Sequence, residues 1–260
     1  MSETDFIPAR LPSIFRPVID VPLVRIGRAN DGGYLIDRRN IEQTDILIGM
    51  GMSDDWSFEE QFLAQHNVPL VAYDASVSTW EFVITLYKKV VLFEPINTVT
   101  AFKVLLGYLR FFNRTTRVHR RKFVGYSQEN KGISYATLLQ DDVGPDRHNI
   151  FFKIDIEGAE YNFLNDLVAS ANRIEGLVIE FHDVDRNMTR ITNFIRSFPL
   201  ALCHVHTNNS SKIVDDGTPT FIECSFTRHS GTKVDNVQLP HPLDMPCRTD
   251  RPEIATFFAD

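Results

Sequence analysis

A short apolar run that breaks into carboxylates constrains this chain more than any other feature: Phe151-Phe152-Lys153-Ile154-Asp155-Ile156-Glu157-Gly158-Ala159-Glu160. Apart from Lys153, its first four residues are apolar, the pattern of a strand buried between helix layers, and Gly158 lets the backbone turn into a helix. In an open parallel sheet, ligands bind beyond the carboxyl ends of the strands. A central parallel position for this strand therefore puts Asp155 and Glu157 at the mouth of a site. The competing reading makes both carboxylates caps of the following helix, where the N-terminal dipole favours negative charge.

The rest of the chain supplies the setting for such a strand. Strand-like runs at 45–49, 69–73, 117–125, 150–155 and 176–181 alternate with helical patterns, which predicts an α/β fold, a mostly parallel sheet with helices on both faces. One helix opens at Ser57, a candidate N-cap ahead of Glu59 and Glu60, and carries Phe58, Phe62 and Leu63 at helical spacing. Phe102, Leu105, Leu106, Leu109 and Phe112 form a second helical stripe, expected in the core. Beyond Val184 a helix-like stretch reaches Ser197. Segments 200–206 and 220–227 then flank a polar turn holding Asn208, Asn209, Asp215, Asp216 and Gly217, and are expected to close the sheet as an antiparallel hairpin. Seven strands result. Prolines at 8, 12, 17 and 22 mark residues 1–40 as an irregular lead-in, and the proline-rich residues 231–260 read as a surface loop over an edge or a cleft. With 260 residues and 43% hydrophobic side chains, one domain spanning 1–260 is expected.

Charge and cysteine usage exclude several classes. A net charge of −7 opposes a sequence-independent nucleic-acid binder, which needs a broad basic face. The basic cluster Arg114, Arg117, His119, Arg120, Arg121 and Lys122 is the local exception, suited to an anionic, for example phosphorylated, acceptor or to plain solvated surface. Cys203, Cys224 and Cys247 are odd in number and lack CxxC spacing, which argues against a disulfide framework or a zinc ribbon and for a reducing, cytoplasmic setting. No apolar run approaches the roughly 20 residues that span a bilayer, and no leader pattern opens the chain. The sequence does not fix an oligomeric state; a homo-oligomer is compatible with it.

Residues 45–48 break into Gly49-Met50-Gly51-Met52-Ser53-Asp54. Two glycines one residue apart let the backbone approach a ligand at a strand-to-helix turn. A dinucleotide fingerprint wants a third glycine where Asp54 stands, so a pyrophosphate cofactor fits less well than S-adenosylmethionine, which has none. The next strand ends in Asp74, about 20 residues beyond the glycines, where an acid commonly accepts ribose hydroxyls. Upstream, Asn30-Asp31-Gly32-Gly33-Tyr34 is a turn pattern. It reads as a hairpin turn or as a loop over the amino-acid end of the cofactor, with Asp31 on an ammonium and Tyr34 beside the sulfur.

Three polar groups are expected at one sheet edge: Asp155 with Glu157; Glu180-Phe181-His182-Asp183; and the run from Cys203 to Asn209, whose alternation puts His204 and His206 on one strand face. Methyl transfer to a hydroxyl requires removal of its proton as the methyl arrives, and a histidine suits that task. His182 or His206 is the candidate base. In the other route, a divalent metal such as Mg or Mn held by Asp155, His182 and Asp183 lowers the pKa of an acceptor diol.

Residues 153–160 resemble the signature of the FkbM-type methyltransferases. The resemblance extends more loosely to Asp31-Gly32-Gly33-Tyr34, Gly49-Met50-Gly51, Asp74, residues 180–183, residues 204–209 and Pro242-Leu243-Asp244. It implies a class I, Rossmann-like methyltransferase fold with Gly49, Gly51 and Asp74 on S-adenosylmethionine, and O-methylation of a saccharide or other small-molecule hydroxyl. A more distant likeness to metal-dependent sugar O-methyltransferases places an acidic pair where His182-Asp183 stands. An NAD(P)-dependent oxidoreductase on a related fold and a catalytically silent cofactor-binding module are the alternatives.

Overall fold

The computed structural model describes residues 8–113, 115–126, 131–234 and 237–259. Seven strands form the central sheet: β1 (Ile46–Met50), β2 (Leu70–Tyr73), β3 (Arg117–Arg120), β4 (Ile150–Ile154), β5 (Ile174–Phe181), β6 (Ala201–His206) and β7 (Ile222–Thr227). Their spatial order is β3-β2-β1-β4-β5-β7-β6. β1 to β5 pair in parallel, whereas β7 runs antiparallel to both β5 and β6. Parallel neighbours need crossovers long enough for a helix, and the segments between β1 and β5 supply them. Between β6 and β7 the polar turn provides no helix, so the chain returns antiparallel.

Among the described residues, seven α-helices accompany the sheet: α1 (Arg38–Gln43), α2 (Ser57–Gln65), α3 (Thr79–Val91), α4 (Pro95–Phe111), α5 (Tyr135–Leu138), α6 (Leu164–Ala169) and α7 (Val184–Ser197). Strand alternation divides them. Ile48, Phe152 and Ile179 face a core shared with Leu138, Leu167 and Phe194 of α5, α6 and α7. Leu47, Phe151 and Val178 face a second core with Ile41, Phe62 and Phe111 of α1, α2 and α4. Each such side chain contributes roughly 1.5–3 kcal/mol on burial. The two cores hold the sheet from both sides and fix the positions of its carboxyl ends.

Several expectations are corrected. The described part of the expected lead-in, residues 8–40, carries strands: Ala9–Pro12 pairs in parallel with Thr256–Ala259, and Leu23–Ile26 pairs with Tyr34–Asp37 as an antiparallel hairpin. Prolines at strand ends are compatible with these short pairings outside the central sheet. Ser57 is the first residue of α2 rather than its cap; Trp56 occupies the cap position, and Ser57 binds Asp55 instead. The expected α4 stripe is not the core face: Phe102 and Leu109 are exposed and Leu105 and Phe112 only partly buried, whereas Tyr108 and Phe111, outside the stripe, are the buried residues of this helix. The tail from 231 does cover the sheet edge, and it adds two short strands, Thr232–Lys233 and Thr256–Ala259.

Candidate functional site

At β1 the connections diverge, to β2 on one side and to β4 on the other. Ligands bind at such a switch point because the two flanking loops part and leave a crevice. A cavity of about 540 Å³ lies there, within the range of small-molecule sites. Gly51, Met52 and Ser53 after β1, Asp74 and Ser76 after β2, and Asp155 to Glu157 after β4 contribute to its walls. Seven acids line it (Asp31, Asp54, Asp55, Glu59, Asp74, Asp155 and Glu157), against three bases, Arg28, Lys122 and Lys153.

The glycines serve the walls more than the void. Gly51 has φ +74°, and a Cβ there would overlap the Asp155 carbonyl oxygen, so only glycine lets the two loops touch. Gly49 and Gly33 do not line the cavity: a side chain at Gly49 would strike buried Glu59, and one at Gly33 would strike the Arg28 carbonyl. Asp74 accepts hydrogen bonds from the backbone N–H groups of Met52 (3.1 Å), Ser53 (2.8 Å) and Ser76 (2.8 Å), and from the Ser76 hydroxyl (2.5 Å). Burial opposes its charge, yet these bonds hold its carboxyl below the usual range. Asp74 thus shapes the loop that follows β1 as well as lining the cavity.

Asp31 lines the cavity from the hairpin turn, and burial, reinforced by the charge of Asp155, pushes its carboxyl above the usual range. Tyr34 is buried behind the wall, where its hydroxyl donates to Asp155 Oδ2 at 3.0 Å. Lys153 lies nearby inside the sheet, donating to the Gly51 carbonyl and 3.5 Å from Asp155 Oδ2. Burial lowers its pKa, but Asp155, Glu59 and Glu180 outweigh that and raise it. The ammonium therefore stays charged and compensates part of the acidic wall.

His182, at the end of β5, meets the same carboxylates. Its Nε2 lies 3.8 Å from Asp155 Oδ1 and 3.6 Å from Glu157 Oε2, and its Nδ1 lies 3.3 Å from Oε1 of fully buried Glu160. Glu160 Oε1 also accepts the His182 backbone N–H at 2.9 Å, and the Tyr161 hydroxyl donates to the His182 carbonyl at 2.5 Å. Burial lowers the His182 pKa, but the hydrogen bond and charge of Glu160, with Asp155 and Glu157, raise it overall. An imidazole fixed at one nitrogen by a buried carboxylate, with the other turned toward acids on a cavity wall, has the geometry of an oriented acid–base group.

Two expected residues lie elsewhere. Asp183 takes the N-cap position of α7 at φ +46°, with an exposed side chain 3.9 Å from Arg186. Of the two donor sets within 4.8 Å among the described residues, the one at this site is Asp155, Glu157 and His182 and the other is His206, Glu223 and Cys247; Glu157 thus takes the place expected of Asp183, and it neither caps a regular helix nor points into the core. His206 is not a free base. Glu223 holds its Nδ1 and Glu253 its Nε2, each at 3.1 Å, because β7 and the tail close over β6. Burial lowers its pKa, but those carboxylates raise it well above the ordinary value. His204 is likewise held by Asp244 at 2.9 Å.

Two members of the basic cluster are neutralised locally, and two more are engaged by an aromatic ring and by hydrogen bonds. Arg120 pairs with Asp142, Arg121 pairs with Glu81, Arg117 covers the Phe111 ring, and His119 binds the Asp74 carbonyl and the Tyr108 hydroxyl. Lys122 alone of the described members reaches the cavity, and Arg114 lies outside the described residues. Sequence reasoning missed the positioning role of Glu160, although it closes the run that drew attention to Asp155. Glu180, expected at the same sheet edge but given no role there, is buried beside Tyr34 and Asn208 and is pushed well above the usual carboxylate range by burial, then by Asp155 and Glu223.

No protein-family model and no curated protein sequence matches the chain. Solved structures similar to it include a Streptococcus mutans protein assigned as a methyltransferase and solved with SAH (11% identity, 81% of this chain and 91% of that one, TM-score 0.37). An rRNA methylase from Streptococcus thermophilus is similar at 10% identity, over 73% and 92% of the two chains, with a TM-score of 0.36. A 16S rRNA (adenine(1408)-N(1))-methyltransferase from Catenulisporales acidiphilia is similar at 10% identity, over 81% and 100%, with a TM-score of 0.33.

Proposed function

We propose that this chain is an S-adenosylmethionine-dependent O-methyltransferase. The acidity of the switch-point cavity carries the reading: seven carboxyl side chains against three basic ones suit a sulfonium with an ammonium and oppose the pyrophosphate of a nicotinamide dinucleotide. The sheet order supports it, because an antiparallel β7 between β5 and β6 departs from the dinucleotide fold and matches the class I methyltransferase layout. In this reading Asp31 faces the ammonium of the methionyl end. Gly51 and the backbone that Asp74 holds form the floor.

His182 Nε2 would take the proton of an acceptor hydroxyl at the Asp155–Glu157 wall, with Glu160 keeping the imidazole turned that way, and S-adenosylmethionine, when bound, would supply the methyl group that the oxygen accepts, leaving as S-adenosylhomocysteine. The FkbM-type likeness of residues 153–160 supports a saccharide hydroxyl as acceptor. Asp155, Glu157 and His182, two carboxylates and one imidazole, also fit a divalent cation, Mg or Mn. When bound, such a cation would supply Lewis-acid polarisation of the acceptor oxygen.

Calorimetric titration with S-adenosylhomocysteine and with NAD tests the reading. Saturable binding of the first and none of the second is expected; the reverse selectivity overturns it. Loss of methyl transfer to a sugar acceptor in Asp155→Asn and His182→Ala, with S-adenosylhomocysteine binding kept, excludes a silent binding module.

A further inference from the structure

The helical hairpin α3–α4 has no part in the cavity, and it breaks the rule that soluble surfaces avoid contiguous apolar area. Eleven of the seventeen large exposed hydrophobic side chains among the described residues fall between Trp80 and Leu109. On α3 they recur as Trp80, Val83, Tyr87 and Val90, one face of a helix; on α4 as Ile96, Val99, Phe102 and Leu109. The opposite faces are spent on the core through Phe82, Tyr108 and Phe111. At the tip between the helices, Leu92 is 64% and Phe93 92% exposed.

Charge tells which occupant this face suits. The hairpin itself, residues 79–111, carries Lys88, Lys89, Lys103 and Arg110 against Glu81 and Glu94, a balance of +2 in a chain whose total is −7. Lys88, Lys103 and Arg110 stand exposed around the apolar stripes with no ion-pair partner among the described residues. A two-fold contact between copies would set this basic face against itself, which like charges oppose. Apolar and aromatic side chains rimmed by lysine and arginine instead match an anionic lipid surface, which buries the first and attracts the second. No helix among the described residues is long and apolar enough to cross a membrane.

We infer that the α3–α4 hairpin is a peripheral docking surface for anionic membranes, entered by the Leu92-Phe93 tip. The inference is independent of the cofactor: a chain that binds vesicles but not S-adenosylhomocysteine keeps it.

Flotation of the full chain with phosphatidylcholine vesicles, with and without about 30% phosphatidylglycerol, is the test. Wild type is expected to float with the anionic vesicles. The bound fraction should drop roughly tenfold on neutral vesicles, at about 0.5 M salt, or in Lys88→Glu/Lys103→Glu. Leu92→Asp/Phe93→Asp should abolish flotation with an unchanged thermal melt, since both side chains are exposed. The inference is overturned if wild type does not float, or if the tip pair floats as wild type does. It is also overturned if light scattering shows a dimer that the tip pair dissociates, which assigns the face to a second copy.

Discussion

His182 and His206 both end sheet strands, both are buried, and both have raised pKa values, yet they belong to different parts of the molecule's economy. Glu160 holds one nitrogen of His182 and leaves the other facing Asp155 and Glu157, which border the cavity. His206 has a carboxylate on each nitrogen, and neither Glu223 nor Glu253 lines the cavity. Burial and pKa direction do not separate a reactive imidazole from a structural one. The separation lies in whether a ring nitrogen is left for something other than the protein.

The largest expected effect breaks that comparison on the catalytic side. His182→Ala should lower kcat by about 10²–10⁴-fold, the range for loss of a general base, with S-adenosylhomocysteine affinity little changed. Glu160→Gln, acting through His182, should lower kcat less and leave KM unaltered; a KM effect alone would make Glu160 a packing residue. Next comes the structural side. His206→Ala strands Glu223 and Glu253, and with Glu223 only 7% exposed the cost should be about 3 kcal/mol of stability, read from denaturant midpoints. At temperatures where the variant stays folded, its kcat should match wild type.

A pH series sharpens the same contrast with a smaller effect. The folded value of His206 lies above the unfolded one near about 6.5, so the folded chain binds the extra proton between them. Its stabilisation is complete below the unfolded value and is lost as pH rises through the folded one. Each unit crossed costs at most about 1.4 kcal/mol. The melting temperature should fall on the alkaline side in wild type. In His206→Ala that slope should flatten, although Glu223, Glu253 and Asp244 still face the position.

These two histidines also mark how far the sequence can be read. Alternation of apolar runs placed β1, β2, β4, β5 and the closing hairpin, because burial between helix layers writes itself into residue order. Asp155 and His182 were legible for the same reason, since a strand's end fixes where its next residues stand. The partners of His206 were not. Glu253 lies 47 positions away in a tail whose path depends on tertiary contacts, and no local pattern reports it. Likewise the strand Tyr34–Asp37, carried inside the supposed lead-in, is held by Ser225 and Thr227 of β7, far along the chain.

Asp183 gives the smallest predicted effect and the cleanest check on the donor set. It follows His182 directly, and a sequence argument makes the two a pair. The positive φ at Asp183 and the close of β5 send its carboxylate outward, beside Arg186, while His182 turns inward to Glu157. Asp183→Asn keeps a residue type that tolerates left-handed backbone and removes only an exposed charge. Stability should stay within about 0.5 kcal/mol and kcat within about twofold of wild type. In a manganese titration followed by electron paramagnetic resonance, any binding seen should survive Asp183→Asn and be lost in Glu157→Gln/Asp155→Asn. Loss in Asp183→Asn alone would return Asp183 to the site and take Glu157 out of it.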